Sequence, residues 1–260
     1  MRKKESAHVC WVVDLGLVAY GPSCHLQREF VEARKAGDIP DVLLLCEHPH
    51  VITLGRNGKR EHLRASEHLL AQMNVEFRSS DRGGDITYHG PGQVVGYPIL
   101  DLREHRRDVR WYVEQLEEVM IRMTADFGLS ARRIPDKHGV WLDTRAGEEK
   151  LAAIGVHLSR WVTSHGLAYN VSTDLRYFDL IVPCGIADKR ATSLERALGR
   201  SVRVAHVRPA LIEHFGKAFG LEMAPVARME LEEILAQRRA PVGNLMNART
   251  AAGAAKGTDA

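Results

Sequence analysis

Apolar residues along the chain follow two periods. Short runs with alternating or continuous hydrophobicity occur at Val9–Val13, Val42–Cys46, Val51–Leu54, Val75–Arg78, Val94–Leu100, Gly139–Leu142, Leu151–Leu158 and Leu167–Val171, and they read as strands. Between them the spacing turns helical. Asp108 is a good N-cap for a helix carrying Val109, Tyr112, Val113, Leu116, Val119, Met120, Met123 and Phe127 on one face, with Gly128 as its stop. Leu26, Phe30 and Ala33 share a face within Pro22–Lys35, and Leu211, Phe215 and Phe219 do so further on. "TSLERALG" offers a capping box from Thr192 to Glu195, ending at Gly199. "LAAIGVHLSRWVTSHGLAYNV" predicts two antiparallel strands around a polar turn near Ser159–Arg160. This order predicts an α/β fold of α+β type, a mixed β-sheet with flanking helices, with no internal repeat. After about Leu235 the chain becomes rich in Ala, Arg, Gly and Asn, so one folded domain is expected over 1–235 and a flexible tail over 236–260.

Composition narrows this picture modestly. A chain of 260 residues, 45% hydrophobic, can build the core of one large domain. A net charge of +3 is too small to argue for a nucleic-acid partner and is compatible with transient docking of acidic proteins. "MRKKESAHVCWVVDLGLVAYG" mimics a signal peptide, but Asp14 interrupts the apolar run and the alternation fits a first strand better. No apolar run reaches membrane-spanning length. Cys10, Cys24, Cys46 and Cys184 form no CxxC pair, so a reduced, cytoplasmic protein is expected.

Three stretches carry candidate chemistry. "RGGDITYHGPGQ" is neither a Walker loop nor a dinucleotide fingerprint, because no G-K-[ST] follows and Val95 stands where the third glycine would be. It reads either as a set of awkward turns or as a loop whose main chain meets a ligand. In "VPCGIADKRATSLER", Cys184 precedes a helix start and neighbours Lys189 and Arg190, surroundings that stabilise a thiolate; the alternative is an inert buried thiol. In "EEKLAAIGVHLS", Lys150 opens an apolar strand. It is a solvated lysine or, if a cysteine lies near, a group that lowers the thiol pKa and shuttles protons. Ala152, Ala153 and Gly155 would leave room over that strand for a slender apolar chain. Cys46, His48 and His50 in "CEHPHVITLGR" read as a turn between strands rather than a metal site, for want of a second ligand cluster. The absence of a G-x-S-x-G elbow removes the usual serine hydrolase reading.

Taken in order, "EHPHVITLGR", "DRGGDITYHGPGQVVGYPILDL", "KLAAIGVHLSRWVTSHGLAYNV", "IVPCGI" and "TSLE" resemble the octanoyl-acyl carrier protein:protein octanoyltransferases, also called lipoyl(octanoyl) transferases, from about Val9 to Phe219. The resemblance implies a fold related to lipoate-protein ligases and the catalytic domain of biotin protein ligases. It implies that octanoate passes from acyl carrier protein to Cys184 and then to a lysine of lipoyl domains, those of 2-oxoacid dehydrogenase complexes and of the glycine cleavage H protein, with Lys150 as the matching lysine. It places substrate contacts at Arg82, Gly83, Gly84, Asp85, Ile86, Thr87, Tyr88 and His89, at Ala153, Ile154 and Gly155, and at Gly166, Leu167 and Ala168, with Tyr88 and His89 shaping the mouth of an acyl channel. No cofactor is expected, neither ATP nor metal, because a thioester is already activated. A monomer, without nucleic-acid or membrane partners, is the expected state. The competing readings are an ATP-dependent lipoate or biotin ligase of the same fold, a transferase between two lipoyl proteins, and a non-catalytic carrier-protein binding module.

Overall fold

The computed structural model describes residues 8–182 and 190–239. The chain divides into two compact units, Met1–Pro225 and Val226–Ala260. In the second, the described element is a helix, Arg228–Arg239, with an Arg228–Glu232 ion pair one turn apart.

In the first unit the chain runs through β1 (His8–Leu17), α1 (Tyr20–Ala36), β2 (Asp41–Glu47), β3 (Val51–Leu54), α2 (Glu67–Gln72), β4 (Glu76–Ser79), β5 (Ile86–His89), β6 (Gln93–Ile99) and α3 (Val109–Asp126). It continues through β7 (Ala131–Ile134), β8 (Lys137–Thr144), β9 (Gly147–Ser159), β10 (Val162–Asn170), β11 (Arg190–Ala191), α4 (Leu194–Leu198), α5 (Val204–Phe219) and β12 (Leu221–Pro225). Among the described residues, nine strands form one mixed sheet in the order β12-β1-β2-β6-β10-β9-β8-β7, with β11 beside β9. β12, β1 and β2 are parallel; from β2 onward each neighbour is antiparallel. A second sheet, β4-β3-β5, holds the segment that leads into "RGGDITYH".

Hydrophobic periodicity explains the packing. The face of α3 formed by Tyr112, Leu116, Val119, Met120 and Met123 and that of α5 formed by Leu211, Phe215 and Phe219 bury together with Leu43, Leu45, Val94, Val140, Leu151 and Leu167 of the large sheet. Asp108 does cap α3, accepting from Trp111 N–H. The β9–β10 turn falls at Arg160–Trp161, whose φ angles of 51° and 69° suit the tight twist of a two-residue hairpin. The cap of α4 is one residue later than the sequence suggests. Ser193 accepts from Arg196 N–H, and Glu195 reaches forward to Val202 N–H instead of back. Among the described residues no helix is long and apolar enough to cross a membrane.

Candidate active site

A cavity of ≈ 610 Å³ opens over β9 and β10. Lys150, Ala152, Ala153, Ile154, Gly155 and Val156 of β9 all border it, so it follows that strand for about 20 Å at roughly 3.3 Å per residue. β10 supplies His165 through Ala168 and Asn170, paired across to β9 as Gly166 with Gly155, Leu167 with Ile154 and Ala168 with Ala153. Arg82–Thr87 and His89 close one side; Val109 and Val113 of α3, Asp136 of the β7–β8 turn with Lys137 and His138 of β8, and Arg190–Ala191 complete the other walls.

The loop that carries Arg82 is fixed by its own polar groups. The buried guanidinium donates to Thr53 Oγ1, Thr53 O, Gly83 O and Asp85 O. Gly83 N–H donates to Val156 O at 2.8 Å, tying the loop to β9. The crossing tolerates no side chain at Gly155, because a Cβ there would stand 2.9 Å from Gly83 O. The Asp85 carboxylate accepts from His62 Nδ1 at 2.5 Å and from Lys59 N–H at 3.3 Å, anchoring the stretch after β3. Arg82 and Asp85 thus border the cavity while their charged heads hold its wall.

Every substrate contact expected from sequence borders this cavity except Tyr88. Strand alternation explains the correction: Thr87 and His89 face the cavity, and Tyr88 between them turns away. Its ring stacks on Tyr177, meets Phe178 edge-on, and its hydroxyl bonds His50 Nδ1 at 2.7 Å within a separate core with Ile52 and Ile181. The later glycines are structural as well. Gly92 adopts φ +81° and a Cβ would meet Ser172 at 2.7 Å; Gly90 and Gly92 do not border the cavity. The glycine-rich motif is therefore divided, with Arg82–Thr87 on the cavity and Gly90–Gly92 in a turn.

Below His89 runs a chain of buried polar side chains. Asn170 Nδ2 donates to the Thr192 carbonyl, so Asn170 Oδ1 accepts from Gln93 Nε2, and Gln93 Oε1 accepts from His89 Nδ1. His89 therefore carries its proton on Nδ1 and leaves Nε2 as an acceptor. Burial, reinforced by the nearby His48 ring, lowers its pKa to about 3, so it is neutral at physiological pH. On β10, opposite Val156, His165 sits at φ +54° and bonds Asp81 Oδ1 at 2.8 Å; that bond holds Asp81 well below the usual carboxylate range. His48 is engaged by Val18 O and the Tyr97 hydroxyl.

Lys150 lies at the end of the cavity away from His165, facing Trp141, its cross-strand partner in β8; Nζ is 4.7 Å from the ring centroid. Beside it, Ala191 of β11 pairs with Lys150, and Thr192 N–H donates to Lys150 O. Upstream, Val182 N–H donates to His62 O. Cys184 falls between these anchored positions but lies outside the described residues. Sequence reasoning missed Trp141, Gln93, Tyr97, His165 and Asn170. Gln93 and Asn170 were detectable as amide side chains closing the apolar runs 94–100 and 167–169, a pattern that signals paired burial.

The mixed sheet and its flanking helices share the fold of lipoate-protein ligases. The chain superposes on a bipartite lipoate protein ligase of Thermoplasma acidophilum with TM-score 0.69 at 18% identity, covering 89% of this chain and 92% of that one. It likewise matches lipoate-protein ligase A bound with ATP, TM-score 0.67 at 14% identity over 90% and 94% of the two chains. The family model for the lipoyl protein ligase A/B catalytic domain matches residues 19–216, and the chain belongs to that family. Among its relatives are the octanoyltransferases of Solibacter usitatus, 51% identical over 85% of this chain and 97% of that protein, and of Caldicellulosiruptor saccharolyticus, 43% identical over 88% and 95%.

Proposed function

We propose that this chain is an acyltransferase of protein lipoylation, moving octanoate from an acyl carrier protein thioester, through Cys184, onto the lysine amine of lipoyl domains. The observation that carries it is convergence: Lys150 and the expected substrate contacts other than Tyr88, drawn from three stretches of the chain, border one cavity. The named relatives support the reaction.

The acyl chain lies along β9 over Ala152–Gly155. Burying about six methylenes at roughly 0.8 kcal/mol each contributes about 5 kcal/mol. Lys150, at the end of the cavity away from His165, stabilises the Cys184 thiolate by its charge. The thiolate attacks the donor carbonyl; as the new C–S bond forms, the bond to the phosphopantetheine sulfur breaks, and that sulfur takes the Lys150 proton. In the second half the acceptor amine attacks the enzyme thioester, neutral Lys150 takes the amine proton, and the Cys184 thiolate leaves. Ammonium and thiolate are thereby restored. Thioester to amide is downhill, so neither ATP nor a metal takes part.

Incubation with octanoyl-acyl carrier protein, with and without ATP, followed by intact-mass measurement, tests this. A hydroxylamine-labile octanoyl adduct should form without nucleotide and vanish in Cys184→Ala. An adduct that requires ATP, or survives that substitution, would overturn the reading.

A further inference from the structure

We infer that Trp141 is a positioning residue: its indole face holds the Lys150 ammonium by a cation–π contact and so places it for proton transfer. The inference rests on the proton-transfer role given to Lys150 under Proposed function.

The pair is built by the sheet. Trp141 and Lys150 are direct partners on β8 and β9, where the register shifts between Val140 and Trp141. The 4.7 Å separation lies well inside the reach of about 6 Å for a cation over an indole. Trp141 is only 1% exposed, and its Nε1–H donates to Lys137 O at 3.3 Å, so the ring cannot swing away. A second ammonium, Lys137 Nζ, stands 5.9 Å from the same centroid and is paired with Glu148 at 3.9 Å.

Chemistry favours a ring at this point over a carboxylate. A π face attracts an ammonium without being able to take its proton. It also adds no negative charge beside a thiolate and a developing oxyanion. A carboxylate there would oppose both. Because the ring attracts only the charged form, removing π density should loosen its hold on the ammonium.

Other charges surround the pair: Asp136 on the β7–β8 turn, Lys137 and His138 at the start of β8, Glu148 and Glu149 on β9, and Arg190 on β11. Glu149 faces Arg196 of α4 at 3.5 Å, and Glu117 of α3 engages Arg133 and Gly139 N–H. A test must leave all of these in place, and fluorination of the ring does so.

In the full-length chain, tryptophan at 141 would be replaced site-specifically by its mono-, di- and trifluoro forms. Transfer from preformed octanoyl-enzyme to a lipoyl domain is then followed in single turnovers. The transfer rate should fall stepwise, by about tenfold over the series, with the urea midpoint unchanged. Trp141→Phe should keep part of the effect and Trp141→Leu none. A constant rate across the fluorinated series overturns the inference, whereas undiminished transfer by Lys150→Ala would instead remove the Lys150 role on which it stands.

Discussion

At the scale of single residues, one backbone carbonyl dictates a distant tautomer. Thr192 O can only accept, and this polarity passes through Asn170 and Gln93 to fix the proton of His89 on Nδ1. Glutamate at position 93 has no donor for Asn170 Oδ1, so Gln93→Glu should destabilise the fold by about 1–3 kcal/mol in urea titrations, with the amide of Asn170 left buried and mismatched. The neutral state of His89 makes a second expectation. Its folded pKa, about 3, lies below the ordinary histidine value because burial opposes charge. Protons therefore bind the unfolded chain first as pH falls. Its contribution is complete above about pH 6.5 and declines toward pH 3, with a slope of up to about 1.4 kcal/mol per pH unit. Replacing His89 by Gln should reduce the loss of stability between pH 6 and 4 by about that slope, read from urea midpoints at several pH values. Gly155→Ala should push the Gly83 carbonyl off β9 and depress octanoyl loading at least tenfold, measured as adduct formation rate.

At the scale of elements, the strands and helices that the sequence displayed best are those with one clean apolar face. α3 was legible from Asp108 to its stop because cap and stripe agree. Substituting Asp108 by Ala should cost about 1 kcal/mol in the urea midpoint by leaving Trp111 N–H unpaired. β7, β11 and β12 were not legible: Arg190–Ala191 is too short to show a period, and "ARRI" is polar enough to pass for a loop. β5 hid inside the glycine cluster, and with it the alternation that sends Tyr88 to the opposite side from His89. Consecutive motif residues look equivalent in a string of letters; a pleat separates them. The cavity floor on β9 and β10 was visible because its small residues stand in sequence order. Trp141 and the α3 wall were invisible because only the sheet order brings β8 beside β9, and only tertiary packing brings Val109 to the same space.

At the scale of the whole molecule, the family match ends at residue 216 and, among the described residues, the cavity draws on nothing beyond Ala191. Deleting 240–260 should therefore leave octanoyl transfer within about twofold of the intact chain, measured with saturating donor. The floor itself has a further consequence. A pleated strand advances about 3.3 Å per residue, whereas a zigzag hydrocarbon advances about 1.3 Å per carbon, given bonds near 1.5 Å. Only alternate side chains face the pocket, so a pocket laid along β9 is a ruler graduated in notches of about five carbons. Enlarging a side chain at Ala153 should make the enzyme jump to a shorter fatty acid rather than slide toward it, so natural drift in tail length would come in even strides.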